Sequence, residues 1–230
     1  PEPRSDGLMQ RYVFHFGPIL IRSEELIHGA WLTVWFAATS MVLGLAIGLL
    51  GAVARSFGPR WLSAVVATYV ELVRNTPLLI QLYFVFFTLP FLGLKLSSSQ
   101  AAILALSIHL GAYATEILRA GIQSIPAGQI EAAKSLGLRP IQIIRRVVLL
   151  QALRAVYPAL CGQFILQLLG TSIISAIAAE ELTAIANNMV MQTFRSFEVY
   201  IAVAIIYFVL VQAFGLLFQG FSRIFFRWKI

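Results

Sequence analysis

Charge is scarce in this chain. Only 12% of its 230 residues are Asp, Glu, Lys or Arg, whereas about a quarter of an ordinary soluble domain is charged. Cysteine is scarcer still: the single thiol, Cys161, lies in an apolar stretch and excludes an intrachain disulfide. The three histidines, His15, His28 and His109, stand too far apart for metal-ligand spacing, and no Ser/His/Asp set is evident. Neither a metal site nor a catalytic centre is expected. There is also no Gly-x-x-x-x-Gly-Lys-Ser/Thr loop to cradle nucleotide phosphates. The chain opens at Pro1 without an initiating Met, which suggests a trimmed start.

What is abundant is hydrocarbon. The chain is 59% hydrophobic, with a mean hydropathy of +0.84. Five stretches lack Asp, Glu, Lys and Arg and approach or exceed the roughly 20 residues that a spanning helix needs. They are Leu26 to Ala54, Asn75 to Leu94, Leu96 to Thr115, Ala155 to Ala179 and Val199 to Ser222. The second begins nearer Trp61, interrupted only by Glu71 and Arg74. Long continuous runs of Leu, Ile, Ala and Val predict helices rather than the alternating strands of a barrel. The expected fold is therefore an all-α membrane protein with five transmembrane helices. The net charge of +7 does not point to nucleic acid, because the bases are scattered between apolar spans; lipid headgroups and topology account for them.

Five spans put the termini on opposite sides. Arg55, Arg60, the Arg139 to Arg154 cluster, Arg223, Arg227 and Lys229 fall on one side, and Arg4, Arg11, Arg22, Lys95 and Arg195 on the other. The richer side is the cytoplasmic one, which places the N-terminus outside and the C-terminus inside. Residues 1–25 form an outer, interfacial N-terminal segment, and residues 26–228 a single transmembrane domain.

Several polar residues interrupt the spans. Glu71 and Arg74, and likewise Glu116 and Arg119, are one helical turn apart, so each pair can close on itself. The expectation is an intramembrane ion-pair network joining spans two and three. Pro77 deprives its span of one N–H and should kink it. Gly44, Gly48 and Gly51 fall near one face of span one, as close helix packing requires. His109, alone in an apolar span, reads as a packing residue.

One polar segment is cytoplasmic by this topology: "SIPAGQIEAAKSLGLRPIQ". Ser124 and Pro126 suit a helix start, Gly137 a stop and Pro140 a second start. The result is a short helix, a sharp turn and the lead-in to span four, with Ala132 and Ala133 giving the helix a small flat face. Glu131-Ala132-Ala133, Gly137 four residues on, and Val147 and Leu149 beyond resemble the EAA loop of permease subunits in ATP-binding cassette importers. "ELVRNTPLLIQLYF", "GAYATEILRAGIQSIPAGQIEAAKSLGL", "LLGTSIISAIAAEELT" and "TFRSFEVYIAVAIIY" are similar to the subfamily importing polar amino acids, amides and opines. The chain departs from that pattern at Leu150, at Leu169-Gly170 and at the tandem Glu180-Glu181.

The resemblance implies a type I importer permease fold with a cytoplasmic coupling helix in the loop at about 124–146. It implies a bacterial inner-membrane location and three protein partners: an ATPase subunit, a second permease subunit, identical or homologous, and a periplasmic solute-binding protein. ATP and Mg would be bound by the ATPase, leaving no cofactor in this chain. Glu131, Ala132, Ala133 and Gly137 would couple to the ATPase. Glu180 and Glu181 would face a solute ammonium, with Asn75, Thr76 and Thr171 along the path. An ion-coupled secondary transporter or channel is the alternative, separated by its independence of ATP.

Overall fold

A computed structural model describes residues 12–225, and every regular element among them is helical. A short turn, α1 (Gly17–Ile21), leads into α2 (Ser23–Phe57), the first span. The second span is two pieces, α3 (Arg60–Arg74) and α4 (Leu78–Tyr83), the latter continued through a π turn at Phe84–Thr88 and a 3₁₀ turn at Leu89–Leu92. Then come α5 (Ser98–Gln123) and the loop helices α6 (Ala127–Ser135) and α7 (Pro140–Ile143). The fourth span is α8 (Leu149–Gly170), prolonged by a 3₁₀ stretch at Thr171–Ile177. Finally, α9 (Leu182–Thr193) caps one end and α10 (Ser196–Phe225) is the fifth span.

Among the described residues four helices are continuous, long and apolar enough to cross a membrane, and the bent pair Arg60–Arg74 and Leu78–Leu92, counted as one span, is the fifth. The expected kink is in fact a break of 110°. Its chemistry is local. Pro77 lacks the N–H that would have bonded Val73 four residues back, and it pushes Thr76 out of helical geometry. Lipid offers no water to replace the lost donor. Gln81 does so instead, its Nε2 donating to Val73 O at 2.7 Å and to Thr76 O at 2.9 Å.

α5 is the central helix. Ser97 and Gln100 cap it reciprocally, each side chain bonding the other's backbone N–H. Its small residues Ala101, Ala105, Gly111, Ala112 and Ala114 are buried, and it packs along α2 through the glycine face. A Cβ on Gly44 would lie 2.8 Å from Leu110 Cβ, and those on Gly48 and Gly51 would strike Ala114 and Thr115. α10 is the most apolar span, with a mean hydropathy of 2.6, and the one least covered by the rest of the chain. Its flank is left for lipid or another chain.

The expected outer N-terminal segment is only partly within the described residues. Tyr12 packs edge-on to Phe14 and Phe197, and Phe14 stacks on Phe16. The buried carboxylate of Glu198 fastens this strip: it accepts from the Tyr12 hydroxyl, from His15 N at 2.9 Å and from Arg195 at 3.2 Å.

Candidate functional site

Three polar regions could do work in so apolar a chain. The first begins at the broken span. While Gln81 Nε2 closes the break, its Oε1 lies 3.0 Å from His109 Nδ1. The His109 ring sits 5.0 Å from that of Tyr113, one turn further along α5, and the Arg74 guanidinium lies 5.4 Å from the Tyr113 ring centroid. Gln167, fully buried on α8, donates to Ser40 Oγ at 3.0 Å and to Leu106 O at 2.9 Å. Between these helices is a recess of about 130 Å³ lined by Leu78, His109, Tyr113, Gln163, Leu166 and Gln167.

The second region is the loop helix α6. It ends in a double bond pattern, Gly137 N to Lys134 O at 2.9 Å and Leu138 N to Ala133 O at 3.2 Å, with Gly137 at φ 75°. This is a Schellman stop, which needs a left-handed residue and so favours glycine. The expected helix, turn and second helix are all present. Ala133, however, does not belong to an outward flat face. It is buried against Ile125, Ile143, Val148 and Ala152, and it anchors the loop helix to the start of the fourth span. Glu131 and Ala132 are exposed, and Leu136 is 81% exposed.

The third region is the opposite end of the bundle. Glu180 is exposed and lines a cleft of about 440 Å³ with Arg22, Glu24, Glu25, His28 and Gln192 among others. Arg22 pairs with Glu25 at 2.7 Å. Glu181, expected beside Glu180 as a solute-facing acid, is fully buried. It is the N-cap of α9, accepting from Ala184 N at 2.9 Å, Tyr207 Oη at 3.0 Å and Thr33 Oγ1 at 3.4 Å. Burial holds its carboxyl above the usual range. Thr171 is buried too and donates to Leu168 O at 2.7 Å. Asn75 and Thr76 are exposed at the break, bonded to Glu71 O and Leu72 O, each at 2.8 Å.

The ion-pair network also differs from expectation. Glu116 pairs with Arg119 at 2.7 Å, as the spacing predicts, and with Arg55 at 3.0 Å. It therefore ties span three to span one. Glu71 and Arg74 make no ion pair among the described residues: the helix ends here, so the Glu71 carboxylate accepts from Asn75 at 3.0 Å and Arg74 turns to Tyr113.

Residues 30–228 match the family described as binding-protein-dependent transport system inner membrane component. The chain belongs to this family. Membership makes it the membrane-spanning, non-catalytic subunit of a transporter. This permease is 35% identical over 200 residues to the glutamine transport system permease protein GlnP of Escherichia coli, covering 86% of this chain and 91% of that one. It is 35% identical over 199 residues to the octopine transport system permease protein OccM of Rhizobium radiobacter, covering 80% and 79%. Among solved structures, an amino acid ABC transporter determined with histidines aligns with a TM-score of 0.86 at 34% identity, over 92% of this chain and 99% of that one. The methionine transporter MetNI in an inward-facing form shares the fold, with a TM-score of 0.71 at 24% identity, over 91% and 98%. The permease fold expected from the sequence is thus the observed one.

Reading the sequence missed the recess and Leu136. The recess had left a signal: His109 and Tyr113, and again Gln163 and Gln167, are four apart in otherwise apolar spans, so each pair shares a face. Leu136 carried none, because an isolated leucine at a helix end looks like core.

Proposed function

We propose that this permease is the transmembrane subunit of an ATP-driven importer that moves a polar amino acid inward across the bacterial inner membrane. The names of its glutamine and octopine relatives support the solute class. The observation that carries the coupling mechanism is the construction of α6. A lever must stay rigid while it is pushed. α6 is bounded by Pro126 and a glycine stop at Gly137 and is seated through Ala133 on the core at the start of the fourth span. Glu131, Ala132 and Leu136 remain exposed for the groove of an ATPase subunit. An apolar tip beside a small residue and an acid suits a contact that is part hydrophobic and part polar.

In this reading ATP and Mg²⁺ are held by that ATPase, and their closure moves α6. Ala133, Ile143 and Val148 pass the motion into α8, while Glu116 with Arg55 and Arg119 keeps spans one and three moving as one body. The N-terminus is outside and the C-terminus inside, following the Lys/Arg bias. The outer cleft with Glu24 and Glu180 then faces a periplasmic solute-binding protein, and a second permease subunit completes the pathway. Proteoliposomes holding the permease with its ATPase and binding protein test the proposal. Solute uptake should require ATP, and Leu136→Glu should lower uptake and ATPase stimulation together. Uptake driven by an ion gradient without ATP would overturn it.

A further inference from the structure

α3 packs on α2 and α5, yet Glu71 and Arg74, one turn apart beside the break, are exposed. The neighbouring helices do not neutralise them. On α5, Glu116 is committed to Arg119 at 2.7 Å and to Arg55 of α2 at 3.0 Å, and among the described residues it forms no ion pair with Arg74. The Glu71 carboxylate accepts from Asn75 Nδ2 through Oε2 at 3.0 Å, which leaves Oε1 open among the described residues. Arg74 has the π face of Tyr113 at 5.4 Å, a weak substitute for a counter-charge. Asn75 and Thr76, exposed beside them, are bonded to Glu71 O and Leu72 O, so the unspent groups here are the two charges. Next to them runs an exposed apolar stripe, Trp61, Val65 and Leu72. Lipid suits the stripe and not the charged edge, because ionisable groups within a span face protein or a water-filled path and find partners there.

We infer that this edge of α3 is a two-fold contact with a second, identical copy of the chain, in which Arg74 of each copy pairs with Glu71 of the other. The inference rests on the importer reading above, which calls for a second permease, and names that partner as this same chain. Charge complementarity selects the occupant. A two-fold contact sets the same patch on both sides, so the patch must complement itself. A patch of one sign fails that condition. This one carries one acid and one base and meets it. The offset between them is small, since three residues are about 4.5 Å along a helix, and the charges flanking a coiled-coil seam pair between chains in the same way. The planar fork of Arg74 suits a carboxylate, and Glu71 Oε1 is the oxygen left to receive it. Two symmetric pairs then form, each covering a charge that a single copy leaves exposed in the span.

The test co-expresses two differently tagged copies of the full chain with the ATPase, and measures how much of one tag co-purifies with the other from membranes. Wild-type copies should co-purify. Glu71→Arg sets bases against bases and Arg74→Glu sets acids against acids, so each variant should pair with itself at least about tenfold less than wild type does. Expressed together, the two variants present opposite charges to each other, and pairing should return close to the wild-type level. That rescue separates the contact from damage to the fold, because each variant chain is the same in both assays. Normal self-pairing of both variants would overturn the contact, and the charges would then line a water-filled path. Pairing that stays lost in the mixed sample would overturn it too, in favour of a role inside each chain. Wild-type copies that fail to co-purify while one copy assembles with the ATPase and a different permease would overturn the identical partner. Co-purification needs no transport, so uptake without ATP by the wild-type protein would overturn the importer reading and leave the pairing result standing.

Discussion

Putting one methyl group on Gly48 should loosen the centre of the bundle. Built on the backbone, that Cβ collides with Ala114 Cβ and lies 3.1 Å from both the Ala114 carbonyl carbon and Thr115 N. Carbon contacts settle at about 3.5–4.0 Å, and two of these three neighbours are backbone, so no rotamer change can relieve the crowding. α2 and α5 must part. Overpacking of this kind costs about 1–3 kcal/mol. At about 2–4 °C per kcal/mol for a chain of this length, Gly48→Ala should melt roughly 2–12 °C below wild type in detergent. Separation also pulls on the Gly44–Leu110 and Gly51–Thr115 contacts and on the Arg55–Glu116 pair, so the upper half of the range is expected. Adding Ala114→Gly removes the struck Cβ at a helix-propensity cost of about 1 kcal/mol. The double variant should nevertheless melt above Gly48→Ala alone. Thermal unfolding of the four proteins in one detergent closes the cycle. Wild-type stability for Gly48→Ala, or strictly additive losses in the double variant, would refute the packing argument.

Two further outcomes are expected. Gly137→Ala meets no atom within 4 Å, but its φ of 75° is unfavourable for a side chain. It should cost about 1–2 kcal/mol, leave the spans assembled, and weaken ATPase stimulation more than it weakens binding of the ATPase in pull-down assays. Burial of Glu181 raises its carboxyl, so its stabilising contribution is full below the ordinary glutamate range and is lost as pH rises through the raised value. The melting temperature of wild type relative to Glu181→Gln should therefore fall as pH climbs from that range towards neutrality; a pH-independent difference would remove the assignment.

The fold was legible because hydrocarbon length and charge placement are one-dimensional signals. Five spans, the glycine face and the stop at Gly137 each depend on residues close in sequence. Span two shows where such signals end. Pro77 announces a disturbance, but neither the 110° of the break nor the Gln81 amide that takes up the orphaned Val73 carbonyl can be read from it. The acids show the same limit. Helical spacing correctly pairs Glu116 with Arg119, but it cannot reveal that Arg55 arrives from another span, or that Glu71 finds Asn75 first. Glu181 was sought as a solute contact because it is charged. In three dimensions it caps a helix inside the protein, a role that depends on Tyr207 and Thr33, both distant in sequence.

Gln81 has two ends and both are occupied. Its amide nitrogen holds the carbonyl that Pro77 orphaned, and its oxygen holds His109. Rotating this side chain therefore cannot alter one contact and spare the other. A turn of the imidazole therefore bears on the stitch across the broken helix, and a change in the angle between α3 and α4 bears on the imidazole. Bend and imidazole are thus the two pans of one balance with Gln81 as its beam.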